Sequence, residues 1–493
     1  MRKLVALLFL FFTCAVSGCM TLPKNPPLES VGRSDAYSFN NILQKEGGLG
    51  DNLMAISLSG GGARAGALSY GVMKKLEEIK LPDGKSLLDE VKIISSVSGG
   101  SFASSYYGLY GKEKFFSSFK DEVLYRKLNA RIALSLFRFV NWVPIAISSD
   151  IGRSEITQDL YDDFYFHDAT FKDMPRKWPF IIINGTDMSR GSSFSFIQED
   201  FDPLCSDVNG VKIARAVVTS SAFPGPFTPL TFKNYPKSKC GYKLPEWVDE
   251  SLAGGPEGNL EQFVWAQNLK SYEDAQARPY LHVMDGGIAD NLGLRPILDH
   301  FRMGAWDVLD SEKRIKAKRV IMIAVDAKPA DSTADDAVSK IPKMMTVLVN
   351  AATKPMGNFT IKTVQEFAMR MTEGKTAEQN FEALKKLCDQ VHSGEAERSV
   401  CYQEFKAPFG GVHKPPFPEM YFVHVQFDAI QDEELRKKVS KVGTSLQLPK
   451  ETIDLLEKTA GELLMQSADF QRLLKDLNAT VPDEVVDVSL TPK

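Results

Sequence analysis

The chain has 493 residues, enough to bury a large core and to form more than one domain. Its 43% hydrophobic and 25% charged residues are the proportions of an ordinary globular protein, which argues against a disordered or fibrous chain. A formal charge of −4 at pH 7 argues against a general nucleic-acid binder, whose surface needs a basic excess.

At the N-terminus, Arg2-Lys3 precede an apolar run from Leu4 to Phe12, and small residues follow up to Cys19. This pattern predicts a secretory signal over residues 1–18, too short and wrongly flanked for a membrane span. Val16-Ser17-Gly18-Cys19 resembles the bacterial lipobox, in which the cysteine is diacylated and becomes the mature N-terminus. Acyl chains on Cys19 would hold the protein at a membrane surface, at roughly 0.8 kcal/mol per buried CH₂. Cleavage by an ordinary signal peptidase nearby is the alternative. Met20 rather than Asp follows the cysteine, so the expected destination is the outer membrane, facing the periplasm or the cell surface. Cys14 leaves with the signal, and Cys205, Cys240, Cys388 and Cys401 then allow three pairings. Local spacing in an oxidising compartment favours Cys205–Cys240 and Cys388–Cys401, with free thiols as the alternative. A site built from Cys388, His392, Cys401 and His413 matches no zinc spacing, so no metal is expected.

Residues 19–50 carry Pro23, Pro26-Pro27 and Gly47-Gly48 without apolar period, and read as a tether that leans on the body. Leu53 to Leu58 is a short buried strand, Ser59-Gly60-Gly61-Gly62 a turn, and Leu68, Val72, Leu76 and Ile79 one face of a helix. The same order repeats at once. Val91 to Val97 is a strand, Ser98-Gly99-Gly100 breaks it, and Phe102, Tyr106 and Leu109 recur at helical spacing. This alternation predicts an α/β fold with a central, mostly parallel sheet between helices. The apolar, aromatic segment from Ala130 to Ser148 reads as a core or lid helix, or as a surface that dips into a lipid interface. Ile181 to Ile183 is a further strand, and Ile213 to Ser220 a helix stopped by Phe223-Pro224-Gly225-Pro226. Residues 231–279 read as a loop-rich surface insertion. Tyr280 to Met284 is a strand that ends in Asp285-Gly286-Gly287, and Arg319 to Val325 another. Lys313, Arg314, Lys316, Lys318 and Arg319 form a solvated basic face or an anionic-headgroup contact. The predicted catalytic region spans 51–335. Residues 336–493 are expected to be helix-rich, with stretches at 341–352, 362–371, 433–440, 450–465 and 469–477 and a strand at 421–427, packed on the core or covering the substrate entrance.

A strand that turns sharply into a helix with serine at the corner is a nucleophile elbow. The elbow here is Ser96-Val97-Ser98-Gly99-Gly100, with Ser96 where the usual pattern has glycine. Serine needs a base to take its proton. None of the six histidines sits in a triad-like signature, and His282, inside the strand before Asp285, is the weak candidate. Asp285 closes a strand beside two glycines and could serve as base if burial raises its pKa. Gly60, Gly61 and Gly62 expose backbone N–H groups at a helix start, fit for an oxyanion or a phosphate. The phosphate reading fails because no P-loop lysine follows. Arg64 could orient that loop or steer an anionic headgroup.

SGGGARAG, SVSGGS and MDGG, in this order and spacing, resemble the patatin-like phospholipase family. The segments Ile183 to Gly191, Ser220 to Phe227 and Ala289 to Pro296 share the resemblance, which extends from Asn52 to about Ala330. It implies a three-layer α/β fold and a Ser–Asp dyad without histidine. By motif position it makes Ser98 the nucleophile and Asp285 the base, with Gly60, Gly61, Gly62 and Arg64 binding the oxyanion. It further implies a phospholipid or other ester-lipid substrate and no cofactor. Ser96, and Ala65 in place of the glycine that commonly follows the arginine, depart from the pattern. A hydrolase of soluble esters or thioesters, or an anchored interaction protein without turnover, are the alternatives.

Overall fold

A computed structural model of the protein describes residues 25–126, 152–225, 227–302, 305–308, 315–329, 344–406 and 418–482. The signal segment, Cys19, the apolar stretch 130–148, Lys313, Arg314 and His413 lie outside the described residues. Eight strands form one sheet: β1 Asn52–Leu58, β2 Val91–Val97, β3 Phe180–Asp187, β4 Ser192–Ser195, β5 Leu230–Lys233, β6 Tyr280–Asp285, β7 Arg319–Asp326 and β8 Glu419–Gln426. The pairings run β5-β6-β3-β2-β1-β7-β8, and β4 also pairs with β3. β1, β2, β3, β7 and β8 run parallel; the first four are buried almost without a break, whereas burial alternates along β8. Continuous burial follows from helices on both faces, the usual condition of a parallel sheet. β4, β5 and β6 join antiparallel.

The helix Ala63–Glu78 lies against Lys450–Gln466, and a Cβ added at Gly71 would come within 2.3 Å of the Glu457 carbonyl. The elbow helix, Gly99–Phe119, packs onto β3 at Gly108, where an added Cβ would stand 2.5 Å from Ile181 Cγ1. Both approaches need the glycine.

Residues 25–49, the described part of the expected tether, pack into the body, and three other expectations change. Tyr37 is buried among aromatic rings and its hydroxyl donates to the Ile181 carbonyl at 3.0 Å, while Phe39 stacks on Trp306 at 4.4 Å. The stretch 231–279 holds two helices, Glu246–Gly254 and Leu260–Ser271. The separate helices expected around 341–371 are one helix, Met344–Val391. The C-terminal region does more than pack on the core, because β8 extends the sheet along β7. A strand's neighbours are set by pairing with distant chain, which local periodicity does not encode. Cys205 is bonded to Cys240, and Cys388 to Cys401. Among the described residues no helix is long and apolar enough to cross a membrane, and no group of His, Cys, Asp and Glu is placed to hold a metal.

Candidate active site

Register along β3 determines where the site forms. Val97 of β2 pairs with Asn184, and Asp285 of β6 pairs with Gly185, the next residue of β3. Both Asn184 and Gly185 also pair with β4, so β4 occupies one edge of β3. β2 and β6 must therefore share the other edge, running toward each other and meeting head to head. Ser98 follows the last residue of one strand, and Asp285 is the last residue of the other. Their meeting is a consequence of register.

Ser98 has φ 51° and ψ −117°, a backbone conformation that costs a side-chain-bearing residue about 1–3 kcal/mol and that the surrounding contacts must hold. It is half-buried, and its hydroxyl lies close enough to the Asp285 carboxyl group to favour that group's charged form. Asp285 is buried, and its Oδ1 accepts from the Gly287 N–H at 2.8 Å. Burial pushes this carboxyl up from 3.8 to about 7, against the Gly287 N–H and the Ser98 hydroxyl, which both favour the charged form. Gly286 is needed here because a Cβ would meet the Asn184 carbonyl at 2.4 Å.

The glycine loop leaves β1 beside the elbow. A Cβ added at Gly60 would lie 3.3 Å from Ser98 Cβ, and one at Gly99 would lie 2.1 Å from the Gly62 carbonyl oxygen. Gly61 and Gly62 have φ of 147° and 63°. Their N–H groups meet no protein acceptor among the described residues, whereas the Gly60 N–H donates to the Asn291 carbonyl at 3.0 Å. Two helix N-termini, at Ala63 and Gly99, add positive potential beside Ser98.

The family model of the patatin-like phospholipases matches residues 56–298, a span that contains the glycine loop, the elbow and Asp285. These residues belong to the patatin-like phospholipase family. Lipid acyl hydrolysis is the general activity that this membership supports. No curated protein sequence matches the chain. Among solved structures, human GIVD cytosolic phospholipase A2 aligns at 12% identity and a TM-score of 0.40, over 94% of this chain and 66% of its own length.

Within the patatin-like domain, two expected oxyanion ligands are corrected. Gly60 has already given its N–H to Asn291. Arg64 is buried behind the loop, where Nε donates to the Ala327 carbonyl at 2.7 Å and Nη1 to the Val442 carbonyl. Burial lowers this guanidinium to about 10, so it stays charged at neutral pH, and its remaining nitrogen, Nη2, donates to Thr444 Oγ1 at 3.4 Å. It props the loop. Ser96 also has a local explanation: its hydroxyl lies 2.6 Å from Ser104 Oγ and donates to the Ile182 carbonyl at 3.1 Å, so the departure from glycine leaves no unpaired polar group.

Among the described residues no histidine is hydrogen-bonded to Ser98 or Asp285. The His282 ring faces outward with Nδ1 3.0 Å from Thr231 Oγ1, and His300 is buried beside Asp200. Residues that sequence reasoning passed over brace the patatin-like site instead. Thr186 donates to the Asp285 carbonyl at 2.8 Å. Asn291 presses Oδ1 between the Gly60 and Gly287 α-carbons. The C-terminal region supplies the Ser445 carbonyl to the Ala63 N–H at 2.7 Å, and Thr360 to Asp290 Oδ1 at 3.1 Å. The segments around Thr186, Ser220 and Asn291 were visible as family motifs. Their roles were not, because each acts on chain far away in sequence.

Proposed function

We propose that the protein is a serine acyl hydrolase of ester-linked lipids, working through a Ser98–Asp285 dyad. The end-to-end meeting of β2 and β6, which sets the half-buried Ser98 beside the buried Asp285 carboxyl group, carries the reading. Ser98 Oγ attacks the ester carbonyl carbon while Asp285 takes the hydroxyl proton. The carbonyl π electrons move onto oxygen, which accepts from the Gly61 and Gly62 N–H groups. The tetrahedral intermediate expels the alcohol, which leaves with the proton from Asp285, and Ser98 remains acylated. Asp285 then draws a proton from water, the resulting attack releases the fatty acid, and Ser98 recovers its hydrogen. Loss of one oxyanion donor costs on the order of 10²–10³ in rate. The Cys19 lipobox supports anchorage at a membrane where such substrates lie. Its test is palmitate labelling that disappears in Cys19→Ser.

The decisive experiment is covalent labelling by a fluorophosphonate with peptide mapping of the adduct. Ser98 should carry the label, with near-complete loss in Ser98→Ala and Asp285→Asn. Labelling of both variants at the wild-type rate would refute the dyad. Initial rates across the micellar threshold of a short-chain phospholipid then separate lipid from soluble-ester substrates: a jump supports lipid, and simple saturation does not.

A further inference from the structure

Ser220 ends the helix Ile213–Ser220, is fully buried, and lies where β2 and β6 meet. Its Oγ accepts from the Ser98 N–H at 2.8 Å and donates to the Asn184 carbonyl at 2.6 Å. With its one hydroxyl proton committed to Asn184, the contact with Ser101 Oγ at 3.0 Å is one that Ser101 donates. On the other side, the Ser220 carbonyl accepts from the Gly286 N–H at 3.3 Å, and the Ala222 carbonyl accepts from the Asp285 N–H at 3.2 Å. One helix end therefore holds the main chain of both dyad residues and the β3 residue between them. Ser98 needs such a hold, because its positive φ lies outside the regions that a serine adopts freely.

We propose that Ser220 is a positioning residue that fixes the separation of Ser98 and Asp285 and stabilises the strained elbow. The inference rests on the dyad reading. The hydroxyl has no role as a second nucleophile: it is closed to solvent, and both its proton and its acceptor capacity are in use. Removing it strands the Ser98 N–H, frees the Asn184 carbonyl and lets the elbow relax. Misplacement of a reacting atom by about 1 Å costs about 10²-fold in rate. Ser221 provides the matched control. It is buried in the same turn, but its hydroxyl bonds only the Val217 carbonyl, at 2.8 Å, on its own helix.

The experiment compares Ser220→Ala, Ser220→Thr and Ser221→Ala in the full chain, using a chromogenic short-chain ester and fluorophosphonate labelling, with thermal melts to establish folding. Ser220→Ala should lower kcat by about 100-fold while KM stays within about threefold. Ser220→Thr, which keeps the hydroxyl, should recover at least about tenfold of that loss. The acid limb of the rate profile should move to higher pH in Ser220→Ala, because Asp285 loses the Ser98 hydroxyl that favours its charged form. If Ser220→Ala does not fold, Ser220→Cys takes its place, with sulfur a weak acceptor for the Ser98 N–H. Equal kcat losses in Ser220→Ala and Ser221→Ala, or an unmoved acid limb, would overturn the inference while wild-type labelling at Ser98 leaves the dyad standing. Wild-type protein unlabelled at Ser98 would overturn both.

Discussion

Asp285→Asn separates catalysis from stability in opposite directions. Asp285 sits in a water-poor site where burial outweighs the Gly287 N–H and the nearby Ser98 hydroxyl, so its pKa rises from 3.8 to about 7. The folded protein therefore holds this proton more tightly than the unfolded chain between those values. The group imposes no penalty below the unfolded value, and its contribution to stability falls as pH rises, levelling off once the folded pKa is passed. The full shift corresponds to roughly 4 kcal/mol, an upper figure because water penetration and relaxation reduce it. Asparagine keeps the oxygen that accepts from Gly287 and carries no charge. Asp285→Asn should therefore melt several degrees above wild type at about pH 8 and coincide with it at about pH 4. Its kcat should fall by at least about 10³, since the amide cannot take the proton that the proposed dyad assigns to Asp285. Wild-type kcat/KM should rise with pH through about 7, where the carboxyl group loses its proton. Scanning calorimetry at the two pH values and initial rates on a soluble ester make the comparison. A variant less stable than wild type at the higher pH, or an equal offset at both, would refute the argument that an ionised carboxylate is being held against its solvation.

Two further outcomes follow from the loop geometry. Gly60→Ala drives a methyl group to 2.4 Å from Asn291 Oδ1, so kcat should fall about 10²-fold, with partial recovery in Gly60→Ala/Asn291→Ala; a double variant no better than the single one would contradict the wedge. Arg64→Met leaves the Ala327 and Val442 carbonyls without their charged donor, at a cost of about 2–4 kcal/mol in urea titration, and should slow fluorophosphonate labelling of Ser98; unchanged stability would show that the loop needs no prop.

The elbow, the glycine loop and the short strand before Asp285-Gly286-Gly287 are legible in the sequence because each is a local object. A β-branched run broken by Ser98-Gly99-Gly100 and resumed at helical spacing fixes its own turn within a few residues. The same locality explains the errors. Asp285 closes its strand, but nothing local shows that β6 comes in antiparallel to β3 and reaches the site from the opposite direction. Gly60, Gly61 and Gly62 look equivalent as letters, but the Asn291 carbonyl takes the first N–H and leaves the other two. Arg64 has the charge for an anion site, but its guanidinium is spent on two main-chain carbonyls, one of them from the C-terminal region.

By itself the sequence determined which residues can do chemistry: a serine on a corner, a carboxylate beside glycines, and bare amides at a helix start. These follow from side-chain type and backbone freedom within short stretches. Tertiary structure decided that they meet. Two strands lying end to end along one edge of β3 put Asn184 and Gly185, neighbours in the chain, beside Val97 and Asp285. Pairing register is a long-range property, set by main-chain hydrogen bonds and shared burial between segments that carry no local signal of each other.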